Sequence, residues 1–149
     1  DTDNRGKETC VIINPPYGER LKVDEIEVFY QSIGNVLKKK YINSNVGVIT
    51  SNKEAMKIAL ERFNGKNIAM TSTMSSKAEI NDVNGETVSL AGNHSYAIKN
   101  VKNGAVTLTD PWNSGKDITI KEETFIQTFT TLSTCDLSTN NPFVNYING

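Results

Sequence analysis

Thr9-Cys10-Val11-Ile12-Ile13 is a short apolar run, mostly β-branched, that stops at Asn14-Pro15-Pro16. The pattern predicts a buried strand ended by a proline break. Beyond it, Val23, Ile26, Phe29, Tyr30, Ile33 and Leu37 recur at helical spacing, so a helix is expected from Val23 to Tyr41, with Gly34 as its weak point. Val46 to Thr50 reads as a second buried strand. Ser51-Asn52 caps a second helix from Lys53 to Phe63, which Asn64-Gly65 closes. The order strand, helix, strand, helix implies an α/β unit with parallel strands.

The remainder changes character. Ile68 to Thr73, Glu86 to Ala91, Ser95 to Val101, Ala105 to Thr109 and Lys116 to Ile120 all read as strands. Asn84-Gly85 and Asn103-Gly104 are hairpin turn signals. Lys121 to Leu132 reads as an amphipathic helix, with Phe125, Phe129 and Leu132 on one face and Glu122-Glu123 in its first turn. The Asn-rich tail from Ser138 reads as extended or frayed. The expected fold class is α+β. A short α/β front, residues 1–54, is followed by an antiparallel meander or sandwich, residues 55–149, with a C-terminal helix packed on it. A front of this size is marginal alone and should dock on the back or on another chain.

With 149 residues the chain is one domain, or two very small ones. Sixteen Lys and Arg stand against 17 Asp and Glu, a net charge of −1. That balance argues against nonspecific nucleic-acid or membrane-surface binding. No apolar run approaches the ~18 residues that span a bilayer. The opening Asp1-Thr2-Asp3-Asn4-Arg5 shows no signal peptide, so a cytoplasmic location is expected. Cys10 and Cys135 do not make a disulfide framework, and with one His they make no metal ligand set. Lys38-Lys39-Lys40 suits the end of a helix.

Asn14-Pro15-Pro16-Tyr17 directly after a strand forms a first constellation. The prolines stiffen the turn and lack donors, so the Asn carboxamide and a neighbouring carbonyl can point at a planar amino group. The Tyr ring can stack on a base. Such a site positions an exocyclic nitrogen as a nucleophile without a strong base; the plainer alternative is a Pro-Pro turn. Together with Gly18-Glu19-Arg20-Leu21 and Val48-Ile49-Thr50-Ser51-Asn52, the motif resembles the N2-guanine ribosomal RNA methyltransferases over about residues 8 to 66. The resemblance implies a Rossmann fold that binds S-adenosylmethionine, with Asn14, Pro15, Pro16 and Tyr17 at the substrate. The family's glycine-rich cofactor loop lies upstream of the motif, and no Gly-x-Gly-x-x-Gly occurs in these residues. A methyltransferase fragment, inactive alone, is the expectation from this half.

His94 and Asp110 form a second. A hairpin through Asn103-Gly104 would bring them together. A carboxylate beside an imidazole fixes its tautomer, which is the base-and-orienter half of a triad, and Trp112 could shield the bond from water. The same spacing also fits a half-buried His in a sheet with a nearby turn Asp. His94-Ser95-Tyr96-Ala97-Ile98 and Leu108-Thr109-Asp110-Pro111-Trp112, with Ile118 to Leu137, resemble the second protease lobe of calpain-family cysteine peptidases over about residues 55 to 138. The resemblance implies a thiol protease in which His94 is the general base and Asp110 replaces the usual Asn. It further implies a polypeptide substrate, no cofactor, and a partner chain or missing lobe with the nucleophile, since neither Cys10 nor Cys135 has the family's context. On this reading the chain is a peptidase lobe, inactive alone, and nucleic acid is an unexpected partner. The methyltransferase fragment, with S-adenosylmethionine as its cofactor, is the alternative, and a noncatalytic interaction module a third.

Overall fold

The computed structural model describes residues 10–15, 23–41, 44–61, 63, 68–73, 76–113 and 115–136. The first strand, β1, runs from Cys10 to Ile13. Pro15, which has no N–H and disfavours helix before it, follows its end. Helix α1 covers Val23–Lys40 and ends on three lysines. Tyr30, Ile33 and Leu37 turn inward while Val28 and Val36 face solvent. The helix is the crossover that lets β1 pair in parallel with β2, Asn45–Thr50. β1 differs from the expected buried strand, because Ile12 is 72 % exposed. A β-branched run looks alike whether one face or both are covered, and β1 ends the strand order among the described residues.

Thr50 ties this front together. Its hydroxyl lies 2.9 Å from the buried Tyr30 hydroxyl and accepts the Asn52 N–H at 3.1 Å. The Asn52 side chain in turn accepts the Ala55 N–H at 2.9 Å, capping α2, Lys53–Glu61. Ala55, Met56, Ala59 and Leu60 of α2 are buried.

β3 is Ile68–Thr73, and β4, Ala78–Asn81, pairs among the described residues only with β5, Thr87–Leu90, as a two-stranded sheet. The Asp82 carboxylate accepts the N–H groups of Asn84 and Glu86 at 2.8 and 2.9 Å, shaping that hairpin's turn. Val83 donates to the Thr119 carbonyl at 2.9 Å and docks it on the large sheet. β6, Ser95–Lys102, and β7, Ala105–Thr109, form the second hairpin. Asn103 and Gly104 both have positive φ there, 53° and 70°, as a two-residue primed turn requires. β8, Asp117–Lys121, pairs with β7.

The expected helix from Lys121 to Leu132 is corrected. Helix α3 covers only Glu122–Thr128, and Phe129–Asp136 is a strand, β9. Phe125, Phe129 and Leu132 have helical spacing, yet Phe129-Thr130-Thr131-Leu132-Ser133-Thr134 is β-branched and hydroxyl-rich, favouring extended backbone. Phe129 is already extended, at φ −85° and ψ 137°. The Lys53 ammonium closes the helix end by donating to the carbonyls of Ile126 and Phe129 at 2.5 and 2.7 Å.

β9 lies between β2 and β3, antiparallel to both, in a seven-stranded sheet ordered β1-β2-β9-β3-β6-β7-β8. A mixed α+β architecture results. Phe125 and Phe129 stack with centroids 4.6 Å apart, and Tyr96 meets Phe129 edge-on at 6.0 Å. Met56, Leu60, Leu90, Leu108, Ile120 and Leu132 complete one continuous core. The pairings make β1, β2, β3 and β7 run one way and β6 and β9 the other. The C-terminal ends of β1 and β7 and the start of β6 therefore share one end of the sheet.

Candidate functional site

Two groups of residues stand at that shared end. At the first, Asn14 is exposed and Pro15 buried, just past the C-terminal end of β1. Ligands of parallel sheets bind beyond that end of the strands. Pro16 and Tyr17, the rest of the motif, lie outside the described residues, as does the tail from Ser138.

The second group is built on the β6–β7 hairpin. Asn93 takes a left-handed turn at φ 49°, which a short polar side chain tolerates, and delivers His94 to the start of β6. Val101 and Val106 face each other near the turn, and Ala97 faces Thr109 near the open end. His94 is therefore beside Asp110, and its Nε2 lies 2.7 Å from Asp110 Oδ1. With the carboxylate ionised, Nε2 carries the proton and donates. The same Oδ1 accepts the Trp112 N–H at 2.9 Å. The His94 bond, ahead of the Trp112 N–H, holds the Asp110 carboxyl below the usual carboxylate range.

Rings enclose the imidazole. The Trp112 indole lies on it with centroids 4.1 Å apart and planes 37° apart. Tyr96 meets it edge-on at 4.8 Å, and the Tyr96 hydroxyl accepts the Ala91 N–H at 2.9 Å. Burial pushes the Tyr96 hydroxyl above its ordinary range. His94 is 6 % exposed, whereas Trp112 is 81 % exposed. A cavity of about 430 Å³ adjoins, lined by Asp82, Glu86, Tyr96, Asp110, Asn113 and Lys116 among others. Sequence reading gave Tyr96, Asn113 and Lys116 no role. The available signal for Tyr96 was its position two residues after His94, on the same face of a strand.

The backbone of neither cysteine lies at this group. The backbone of Cys135 pairs with Ile68, four residues along β3 from the Ser72 that pairs with Ser95. That is ~13 Å along the strand direction, and β9 is two strands from β6. Cys10 is farther still, in β1 at the end of the strand order.

Residues 2–81 match the family described as RMKL-like, methyltransferase domain, and the chain belongs to that family. Similar proteins include the ribosomal RNA large subunit methyltransferase K/L of Allochromatium vinosum, 46% identical over 48 residues, which are 32% of this chain and 6% of that protein. The protein of the same name from Saccharophagus degradans is 43% identical over 58 residues, 38% of this chain and 8% of that one. That from Psychrobacter arcticus is 41% identical over 61 residues, with the same two shares, 38% and 8%. The chain thus matches less than a tenth of the length of these relatives.

These findings overturn the reading of the chain as a calpain-like cysteine peptidase lobe, a hydrolase with a polypeptide substrate and a partner chain supplying the thiol. The short motifs behind it have a local explanation: Asp110 is the side-chain acceptor of its own turn, and His94 is a strand-start residue packed under a Trp. The expectation that nucleic acid is no partner is overturned too, since the relatives are named for ribosomal RNA. Net charge reports the whole surface and is silent on a site that reads a base by hydrogen bonds and stacking. The expectation of no cofactor is unsupported, because the matched family is described as a methyltransferase domain and methyltransferases use a methyl donor. Of the two resemblances, the methyltransferase one stands at the level of the family.

Proposed function

We propose that the chain carries the acceptor-amine part of an S-adenosylmethionine-dependent RNA methyltransferase that acts on the N2 amine of guanine. The observation that carries the reading is the place of Asn14-Pro15, at the C-terminal end of a parallel strand inside the segment that matches the methyltransferase family. The Asn14 carboxamide oxygen accepts a hydrogen bond from the exocyclic amine, and a backbone carbonyl of the turn takes the other N–H. Both acceptors draw electron density toward nitrogen and orient its lone pair. Pro15 offers no N–H to compete for either acceptor. Tyr17 supplies a ring for the base. A cytoplasmic location accompanies this activity.

The residues described fit the amine rather than the methyl donor. Among them no glycine-rich turn follows β1, β2 or β3, and no carboxylate ends one of these strands. S-adenosylmethionine, when bound, would supply the methyl group.

The test is a titration of the 15N-labelled full chain with guanosine 5′-monophosphate, with inosine 5′-monophosphate, which lacks the N2 amine, as control. The expected result is saturable perturbation at the backbone amides of Ile13 and Asn14 by the guanine nucleotide, at least tenfold weaker for inosine and for Asn14→Ala. Equal responses to the two nucleotides would overturn the assignment.

A further inference from the structure

We propose that Trp112 is a stacking platform for an unpaired base of the RNA strand, with Asn113 and Lys116 contacting the same nucleotide; this rests on the reading of Asn14 as the amine site.

Trp112 is the chain's one tryptophan, and it is 81 % exposed. An exposed indole on a loop is ordinarily mobile, and this one is held from below. One face lies on the buried His94, and its backbone N–H is bonded to Asp110. His94 is itself fixed by Asp110 and by the edge of Tyr96. The ring contact and the backbone bond restrict the indole, which lowers the ordering entropy to be lost on binding. The indole leans on the imidazole with the planes 37° apart, and its outer face is open to a flat ring. Every base offers one, but a duplex hides it between neighbours, so the platform suits a single strand.

The flanking residues supply the other two contacts of a nucleotide. Asn113 and Lys116 are exposed on the same loop and line the adjoining cavity. A carboxamide meets a base edge, and an ammonium meets a phosphate. Four carboxylates line that cavity, Asp82, Glu86, Asp110 and Asp117, so among the described residues Lys116 supplies the single cation there and the indole face carries most of the binding. Asp110 holds His94, and Asp117 holds Lys99 at 2.6 Å and the Thr109 hydroxyl at 2.8 Å.

Position connects the platform to Asn14. Both lie at one end of the sheet, just past β1 and just past β7, five strand spacings apart. That is about 24 Å along the edge. A strand stacked at about 3.4 Å per nucleotide covers it with roughly seven nucleotides, and an extended strand with fewer.

The test uses the full chain and a fluorescein-labelled, unstructured octaribonucleotide containing one guanine. Anisotropy reads binding, and Trp112 emission reads stacking without interference from another tryptophan. Wild type should bind with saturable quenching of Trp112, and the octamer annealed to its complement should not quench. Trp112→Ala should weaken binding about 5- to 160-fold, while Trp112→Phe, which keeps a ring, should retain most of it. If Trp112→Ala binds as tightly as wild type while Asn14→Ala binds more weakly, the platform is refuted and the amine-site reading stands. If wild type binds no octamer, both are refuted.

Discussion

His94 Nε2 lies 2.7 Å from Asp110 Oδ1, joining the residue just before β6 to the residue just after β7. The carboxyl is held below its ordinary range chiefly by this bond, so the bond stabilises the fold while Asp110 is ionised. A depressed carboxyl contributes stability that is present above its unfolded value, about 3.9, and lost as pH falls through the lower folded value. Asp110→Asn should therefore be less stable than wild type at pH 7, and the gap should shrink below pH 4. Urea unfolding of both proteins at pH 7 and pH 3 measures it; a gap independent of pH would refute the linkage.

Phe129 is fully buried between Phe125 and Tyr96, where α3 gives way to β9. Truncation leaves a cavity that the stacked ring cannot refill. Phe129→Ala should cost about 3–5 kcal/mol. Chemical denaturation would register this as a lower midpoint, and a loss under 1 kcal/mol would mean that the ring is less tightly enclosed.

Asn52 satisfies the Ala55 N–H at the start of α2. Asn52→Ala leaves that donor without its cap and should cost about 1 kcal/mol, whereas Asn52→Asp should keep most of the stability. Thermal melts of the two variants side by side would separate capping from simple loss of bulk.

Gly104 has φ 70° with open space around the position of a Cβ. No clash is therefore available to explain a penalty, and any cost of Gly104→Ala is conformational, about 1–2 kcal/mol. If the alanine variant unfolds at the wild-type midpoint, the turn has changed type.

The parts of this fold that were legible from sequence are those governed by neighbours in the chain. β1, α1, β2 and α2 follow from local spacing, Pro15 and Asn52, and the Asn103-Gly104 turn declares its own geometry. The same turn makes the meeting of His94 and Asp110 readable, because a hairpin converts separation along the chain into register. Phe129 to Asp136 was not legible as a strand. Its Phe129 and Leu132 extend the apolar spacing of Phe125, and only pairing with β2 and β3, distant in sequence, decides against the helix. β4 was missed for a related reason, since it is half-exposed and stabilised through Asp82 and the Val83–Thr119 bond rather than by an apolar run. The functional reading erred where the motifs were short. His94 and Asp110 do meet, but a meeting of side chains reports packing as readily as chemistry.

The placement of β9 sets the order in which this molecule can be completed. During synthesis β1 and β2 emerge early and can pair, and β3, β6, β7 and β8 can assemble later as a separate ladder. The two ladders have no strand in common until Phe129–Asp136 is available to join them. A nascent chain stopped at Thr128 would hold Asn14 and Trp112 on two ladders that no strand pairing joins. Their spacing comes into being with nearly the last described residues of the chain, and closure over so long a separation is expected to be the slow step of folding.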